Sequence, residues 1–165
     1  MENTLKVLIL DAATGFYKLQ RYPWGDFFGP VDLGLHLAGK YNSLNIGVGI
    51  FAGSILPGSN RLIFSGFSPA WGGFYVSSMG GAGLVFDDLG ISLLCIIGKA
   101  HRPSILKLNR QHGEEIEVEL SYVKVSELWR QEGVYGLLEY TYSQFGKAYE
   151  PVSYTHLTLP TILRV

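Results

Sequence analysis

Between Tyr41 and Gly98 the chain carries only three charged side chains, Arg61, Asp87 and Asp88, and eleven glycines punctuate the same stretch. Its apolar runs, Ile46 to Gly58 and Gly90 to Gly98, fall far short of the ~20 residues that a membrane-spanning helix needs. They have the length of buried or half-buried strands bounded by glycine. Four such strands are predicted: Leu44 to Phe51, Arg61 to Phe67, Gly73 to Ser78 and Ile91 to Ile97. Charged residues make up 16% of the whole chain, against roughly 25% in an average soluble domain. Few charges and much glycine point to a surface partly covered by a partner domain, a subunit or a large cofactor. Compositional scatter is the plain alternative.

The flanking segments complete an α+β pattern. Lys6 to Asp11 and Gly15 to Tyr22 read as antiparallel strands around the turn Ala12-Ala13-Thr14-Gly15. Pro30 to Lys40 reads as a helix with Pro30 in its first turn, although Val31, Leu33, Leu35 and Leu37 alternate rather than follow a helical period. Gly83 to Leu89 forms a helical turn. Ser104 to Arg110 and Glu115 to Tyr122 form a hairpin around Gln111-His112-Gly113, with alternation that predicts one wet face. A turn at Ser126 to Arg130 and a helix from Val134 to Phe145 follow. The length of 165 residues fits one domain. The expected class is α+β, with mixed or mostly antiparallel sheets and a few short helices.

Several function classes fall away. A net charge of −1 without a basic stripe gives nothing to neutralise nucleic-acid phosphates. The apolar run Val7 to Leu10 is too short for a secretory signal core, and the expected location is the cytoplasm. Cys95 is the one cysteine. It can form no internal disulfide and cannot hold an iron–sulfur cluster, which takes about four thiolates. Within Leu93-Leu94-Cys95-Ile96-Ile97 it reads as a small buried hydrophobe. His36, His101, His112 and His156 show no metal-ligand spacing. Asp87 and Asp88, as neighbours on a helix, point apart and read as a solvated helix end.

The candidate chemistry lies in the glycine-rich stretch. Glycines let the backbone approach a ligand closely, and successive N–H groups in such turns make anion-binding concavities. Arg61 would add a forked, permanent cation for phosphate. The alternative is that the glycines make turns and bulges and that Arg61 opens a surface strand. Gly47-Val48-Gly49-Ile50-Phe51-Ala52-Gly53 distantly resembles a dinucleotide fingerprint, but Pro57 and further glycine leave no room for the helix that must follow. Gly80-Gly81-Ala82-Gly83 precedes a predicted helix and is the better phosphate loop. It lacks the Lys-Ser/Thr of a nucleotide-hydrolysing P-loop.

Gly49 to Gly53 followed by Pro57-Gly58-Ser59-Asn60-Arg61 resembles the Gly-Pro-Leu-Thr-Gly and Pro-x-x-x-Arg segment of the tungsten-dependent aldehyde:ferredoxin oxidoreductase family. Ser68-Pro69 falls at the spacing of that family's Ser-Pro turn. Ser78-Met79-Gly80-Gly81 is similar to its Asn-Ser-Gly-Gly loop, and Gly83 through Gly90 to Ala100 is similar to its helix, glycine and closing strand. The opening Asp-x-x-Thr-Gly turn, Asp11 to Gly15, fits as well. The resemblance runs over residues 5 to 146 and is most specific over 49 to 100.

The resemblance implies a platform beneath a tungsten or molybdenum ion held by two pterins. It implies that Arg61 contacts this cofactor on the side of a nearby [4Fe–4S] cluster. The loop Ser78, Met79, Gly80 and Gly81 would pack on a pterin, with the Ser78 backbone carbonyl binding a magnesium that joins the pterin phosphates. The implied reaction oxidises aldehydes to carboxylic acids and passes electrons to ferredoxin. There are departures. Ser78 stands where the family has Asn, and the loop after Gly81 is about one residue shorter. The cluster cysteines, the acid–base residues and a second glycine-and-arginine loop are absent here.

Residues 151 to 165 contain Tyr154-Thr155-His156-Leu157-Thr158-Leu159-Pro160-Thr161, which resembles the tails produced when a reading frame runs into adapter sequence. The expectation is a partial N-terminal tungstopterin-binding domain over 1–150 and a non-native tail over 151–165, inactive alone. A stand-alone pterin-binding or regulatory module is the alternative.

Overall fold

Apolar side chains run unbroken from Val7 to Leu10, and β1 (Thr4–Asp11) is accordingly buried on both faces over those residues, as a central strand requires. Asp11 ends it and shapes the turn. Its carboxylate accepts the Ala13 N–H at 2.9 Å and the Thr14 hydroxyl at 3.0 Å, a side-chain turn of the kind Asp favours. The chain returns antiparallel as β2 (Tyr17–Pro23). The computed structural model describes residues 4–80, 82–110, 115–124, 126, 133–146, 151–153 and 161–164. Two compact units are present, Met1–Lys99 and Ala100–Val165.

In the first unit, α1 (Asp32–Tyr41) starts where the Asp32 carboxylate accepts the N–H groups of Phe28 and Gly29 at 2.7 and 2.9 Å. It stops at Asn42, which adopts a left-handed conformation and donates its N–H to the Ala38 carbonyl. The alternating leucines resolve into one face. Leu33 and Leu37, one turn apart, are fully buried, while Val31 and Leu35 are exposed. Pro30 lies in the turn ahead of the helix rather than inside it.

Strands β3 (Leu44–Val48), β4 (Arg61–Phe67) and β5 (Phe74–Gly80) form an antiparallel meander. The short α2 (Gly83–Asp88) follows, and β6 (Leu93–Ile97) inserts between β1 and β3, parallel to the first and antiparallel to the second. The sheet order is β2-β1-β6-β3-β4-β5. This is the mixed, mostly antiparallel α+β architecture expected. Leu33 and Leu37 of α1 pack on Leu5, Val7, Ile9, Leu93 and Cys95 from one sheet face. The other face carries buried Leu8, Leu10, Ile46, Leu62, Phe64 and Leu94. Cys95 is buried, as its apolar neighbours suggested, and burial pushes its thiol pKa up.

A polar seam runs under α1. Asn45, fully buried, donates from Nδ2 to the Gly34 carbonyl at 3.0 Å and accepts the Ser43 hydroxyl at 3.1 Å. Ser65, also buried, donates to the Pro30 carbonyl at 3.3 Å. Helix and sheet approach so closely that a Cβ on Gly34 would overlap the Ser65 hydroxyl.

In the second unit, β7 (Ser104–Asn109) and β8 (Glu117–Tyr122) pair antiparallel as expected, with Lys107 and Glu119 bridged at 3.1 Å. The predicted turn at 111–113 lies outside the described residues, as does all but Ser126 of the turn expected at 126–130. Helix α3 (Gly133–Phe145) supplies Leu137, Tyr140 and Phe145, which pack against Ile105 and Val123. Strands β9 (Pro151–Ser153) and β10 (Thr161–Arg164) complete a sheet of order β8-β7-β10-β9, with β10 parallel to β7.

Two outcomes follow from these contacts. Asn45→Ala leaves the buried Ser43 hydroxyl without its acceptor and should lower stability by about 1–3 kcal/mol in urea unfolding. The Asp11 hydrogen bonds, first that from the Ala13 N–H, hold its carboxyl below the ordinary 3.8. A lowered carboxylate contributes stability above 3.8 that disappears as pH falls through its folded value. Asp11→Ala should therefore melt below the parent at neutral pH, and melting curves across the acid range should converge.

Candidate functional site

Pairing of β4 with β5 sets Arg61 opposite Gly80, Leu62 opposite Met79 and Ile63 opposite Ser78. Side chains alternate along a strand, so Arg61, Ile63 and Ser78 share one face with Gly80. Arg61 and Ser78 are exposed there. Met79 lies on the opposite face with fully buried Leu62. The fold thus brings Arg61, Ser78 and Gly80 together and turns the Met79 side chain away. Gly81 lies outside the described residues.

The chain leaves β5 at Gly80 and starts α2 at Gly83. A Cβ on Gly83 would sit 2.6 Å from the Asn60 carbonyl carbon and 2.9 Å from the Arg61 nitrogen. Only a residue without a side chain fits against the backbone at the start of β4. Helix α2 has six residues, too short to build a full macrodipole. Any anion affinity here rests on individual N–H groups and on Arg61.

Between β3 and β4 lies an exposed loop, residues 49–60, with Ile50, Phe51, Ile55 and Leu56 facing solvent. It closes on itself where the Gly53 N–H donates to Asn60 Oδ1 at 2.8 Å. No helix follows β3, so the Gly47-x-Gly49 run lacks the strand–turn–helix context of a dinucleotide site. Strand β3 also ends at Val48, earlier than the apolar pattern suggested, because the chain turns there into this loop.

A cleft of about 460 Å³ opens at the same end of the sheet, lined by Lys6, Trp24, Gly49, Asp87 and Ser92 among others. Partial burial, and then the neighbouring Asp88, raise the Asp87 carboxyl above its ordinary value. Asp87 and Asp88 close α2 with exposed side chains, as the sequence suggested. The sequence reading missed Asn60 and this cleft. Asn60 carried a weak signal as a side-chain acceptor within a turn-rich segment, whereas the cleft joins residues from separate strands and carried none. Among the described residues no group of His, Cys, Asp and Glu is placed to hold a metal ion, and no helix is long and apolar enough to cross a membrane.

The chain is 38% identical over 120 residues to the glyceraldehyde-3-phosphate:ferredoxin oxidoreductase of Pyrococcus furiosus, covering 68% of this chain and 18% of that protein. It is 36% identical over 106 residues to an uncharacterised protein of Methanocaldococcus jannaschii, covering 59% of this chain and 16% of that one. The chain therefore spans less than a fifth of the length of these relatives. Its fold is similar to part of the active-site complex of benzoyl coenzyme A reductase, solved with 1,5-dienoyl-CoA. The TM-score is 0.76 at 17% identity, over 90% of this chain and 24% of that one. Residues 27–154 match the sequence profile of the aldehyde ferredoxin oxidoreductase N-terminal domain, and the chain belongs to that family.

Proposed function

We propose that residues 1–150 form part of the cofactor platform of a tungsten or molybdenum bis-pterin oxidoreductase. The parent enzyme oxidises aldehydes to carboxylic acids with ferredoxin as electron acceptor. The observation that carries this reading is the β4–β5 register, which stands the exposed Arg61 across from Gly80 on one open face. The residues fit a phosphate-bearing group. A guanidinium offers a fork of donors to phosphate oxygens, and the backbone opposite it is bare of a side chain at Gly80.

When bound, the metal–pterin group supplies the redox centre, and the protein positions it. Arg61 would hold a pterin phosphate by charge-assisted hydrogen bonds. Gly80 and Gly81 would allow close approach, and the Ser78 backbone carbonyl would help to hold the magnesium. The Met79 side chain points to the Leu62 face, so its part is confined to its main chain. Buried Cys95 offers no cluster ligand. The [4Fe–4S] cluster, the aldehyde site and the ferredoxin contact belong to other domains of the parent, and this chain alone does not turn over.

The test is Arg61→Ala in a full-length parent, with tungsten measured by mass spectrometry and pterin by fluorescence after oxidation. A lost charged hydrogen bond of about 1.5–3 kcal/mol should lower cofactor content at least several-fold. Full tungsten and pterin occupancy would contradict the role of Arg61. Tight pterin binding by the purified 165-residue chain would instead favour a stand-alone binding module.

A further inference from the structure

We propose that Asn60 is a positioning residue that fixes the start of β4, and with it the direction of the Arg61 side chain. This inference rests on the reading of Arg61 as the cation of the platform. Arg61 is the first residue of β4 and follows a long loop rich in glycine and serine. The first residue of a strand after such a loop frays unless something anchors it. Local bonds do not anchor it. Ser54 N–H to the Phe51 carbonyl at 3.1 Å and Ser59 hydroxyl to the Leu56 carbonyl at 2.8 Å stay inside their own turns.

Asn60 reaches further. Its Oδ1 accepts the Gly53 N–H at 2.8 Å, across seven residues. Its own main chain lies directly against Gly83, where a Cβ would come within 2.7 Å of the Asn60 carbonyl oxygen. One residue thus ties the β3–β4 loop, the start of β4 and the turn leaving β5. Its side chain holds the loop, its main chain seats Gly83, and its next neighbour is Arg61. Asn60 touches no cofactor in this scheme. It acts through Arg61 by removing the freedom of the backbone that carries the guanidinium.

The test uses the whole chain and NMR. Three signals are followed in the parent, Asn60→Ala and Asn60→Asp: exchange of the Gly53 amide, the Arg61 Nε–H resonance, and the shift of that resonance on titration with inorganic phosphate. Asn60→Ala should speed Gly53 exchange about tenfold, the equivalent of one ordinary hydrogen bond. It should also move or broaden the Arg61 resonance and weaken its response to phosphate. Asn60→Asp keeps an acceptor at the same reach and should restore both Gly53 protection and the Arg61 signal. A folded Asn60→Ala with unchanged Gly53 exchange and Arg61 resonance overturns the proposal. If Asn60→Ala does not fold, Asn60→Asp decides, and loss of Gly53 protection there overturns it. If phosphate moves no Arg61 signal even in the parent, the platform reading loses its phosphate contact. The positioning role then still stands on the exchange data and the Arg61 resonance.

Discussion

Leu62 and Phe64 cannot leave the core, and that constraint sets which face of β4 carries Arg61. Both side chains are fully buried on one face of β4, and the intervening positions must face the other way. Sliding β4 by one residue would take two large apolar side chains off the core face and bury a guanidinium there, at a cost of several kcal/mol. The register against β5 is therefore locked by packing. The hairpin turn reinforces it, with the Ser68 N–H donating to the Gly73 carbonyl at 3.0 Å and the Gly72 N–H to the Ser68 carbonyl at 2.8 Å. Arg61 meets Gly80, and not Met79, because of hydrophobic burial at the adjoining Leu62 and at Phe64.

The same face shows how the sheet accepts a helix without covering the candidate site. Asn45 and Ser65 are polar at positions where an apolar side chain would be expected, and each bonds to the α1 region. A buried polar group is costly unless partnered, so these bonds favour one placement of the helix over others. That placement buries Leu33 and Leu37 on β1 and β6. Arg61 and Ser78 are left in solvent at the far end of β4 and β5.

Much of the fold was legible in the sequence. The strand at Arg61 to Phe67 has the bounds predicted for it, and β1, β2, β6, β7 and β8 lie within two residues of theirs. Short apolar runs bounded by glycine admit few other conformations. The helix at 30–40 was legible as an element, but its buried side was not. Alternating apolar residues gave no helical face until the structure showed Leu33 and Leu37 buried and Val31 and Leu35 exposed. Within the candidate loop, the sequence grouped Ser78, Met79 and Gly80 as one unit. Strand alternation divides them between two faces, a fact that depends on β5 continuing to Gly80 rather than ending at Ser78.

The sequence by itself determined the class of the fold, the order of its elements as far as Phe145 and the scarcity of charge in the stretch around Arg61. These follow from local pattern, because chain length, glycine spacing and apolar runs act over a few residues. Only the tertiary structure decided that β6 inserts between β1 and β3, that Gly83 must be bare to sit on Asn60, and that the Asn60 side chain accepts the Gly53 N–H across the loop. Those features depend on contacts between segments distant in sequence. Such contacts are selected by how buried surfaces fit, and no local pattern encodes that fit.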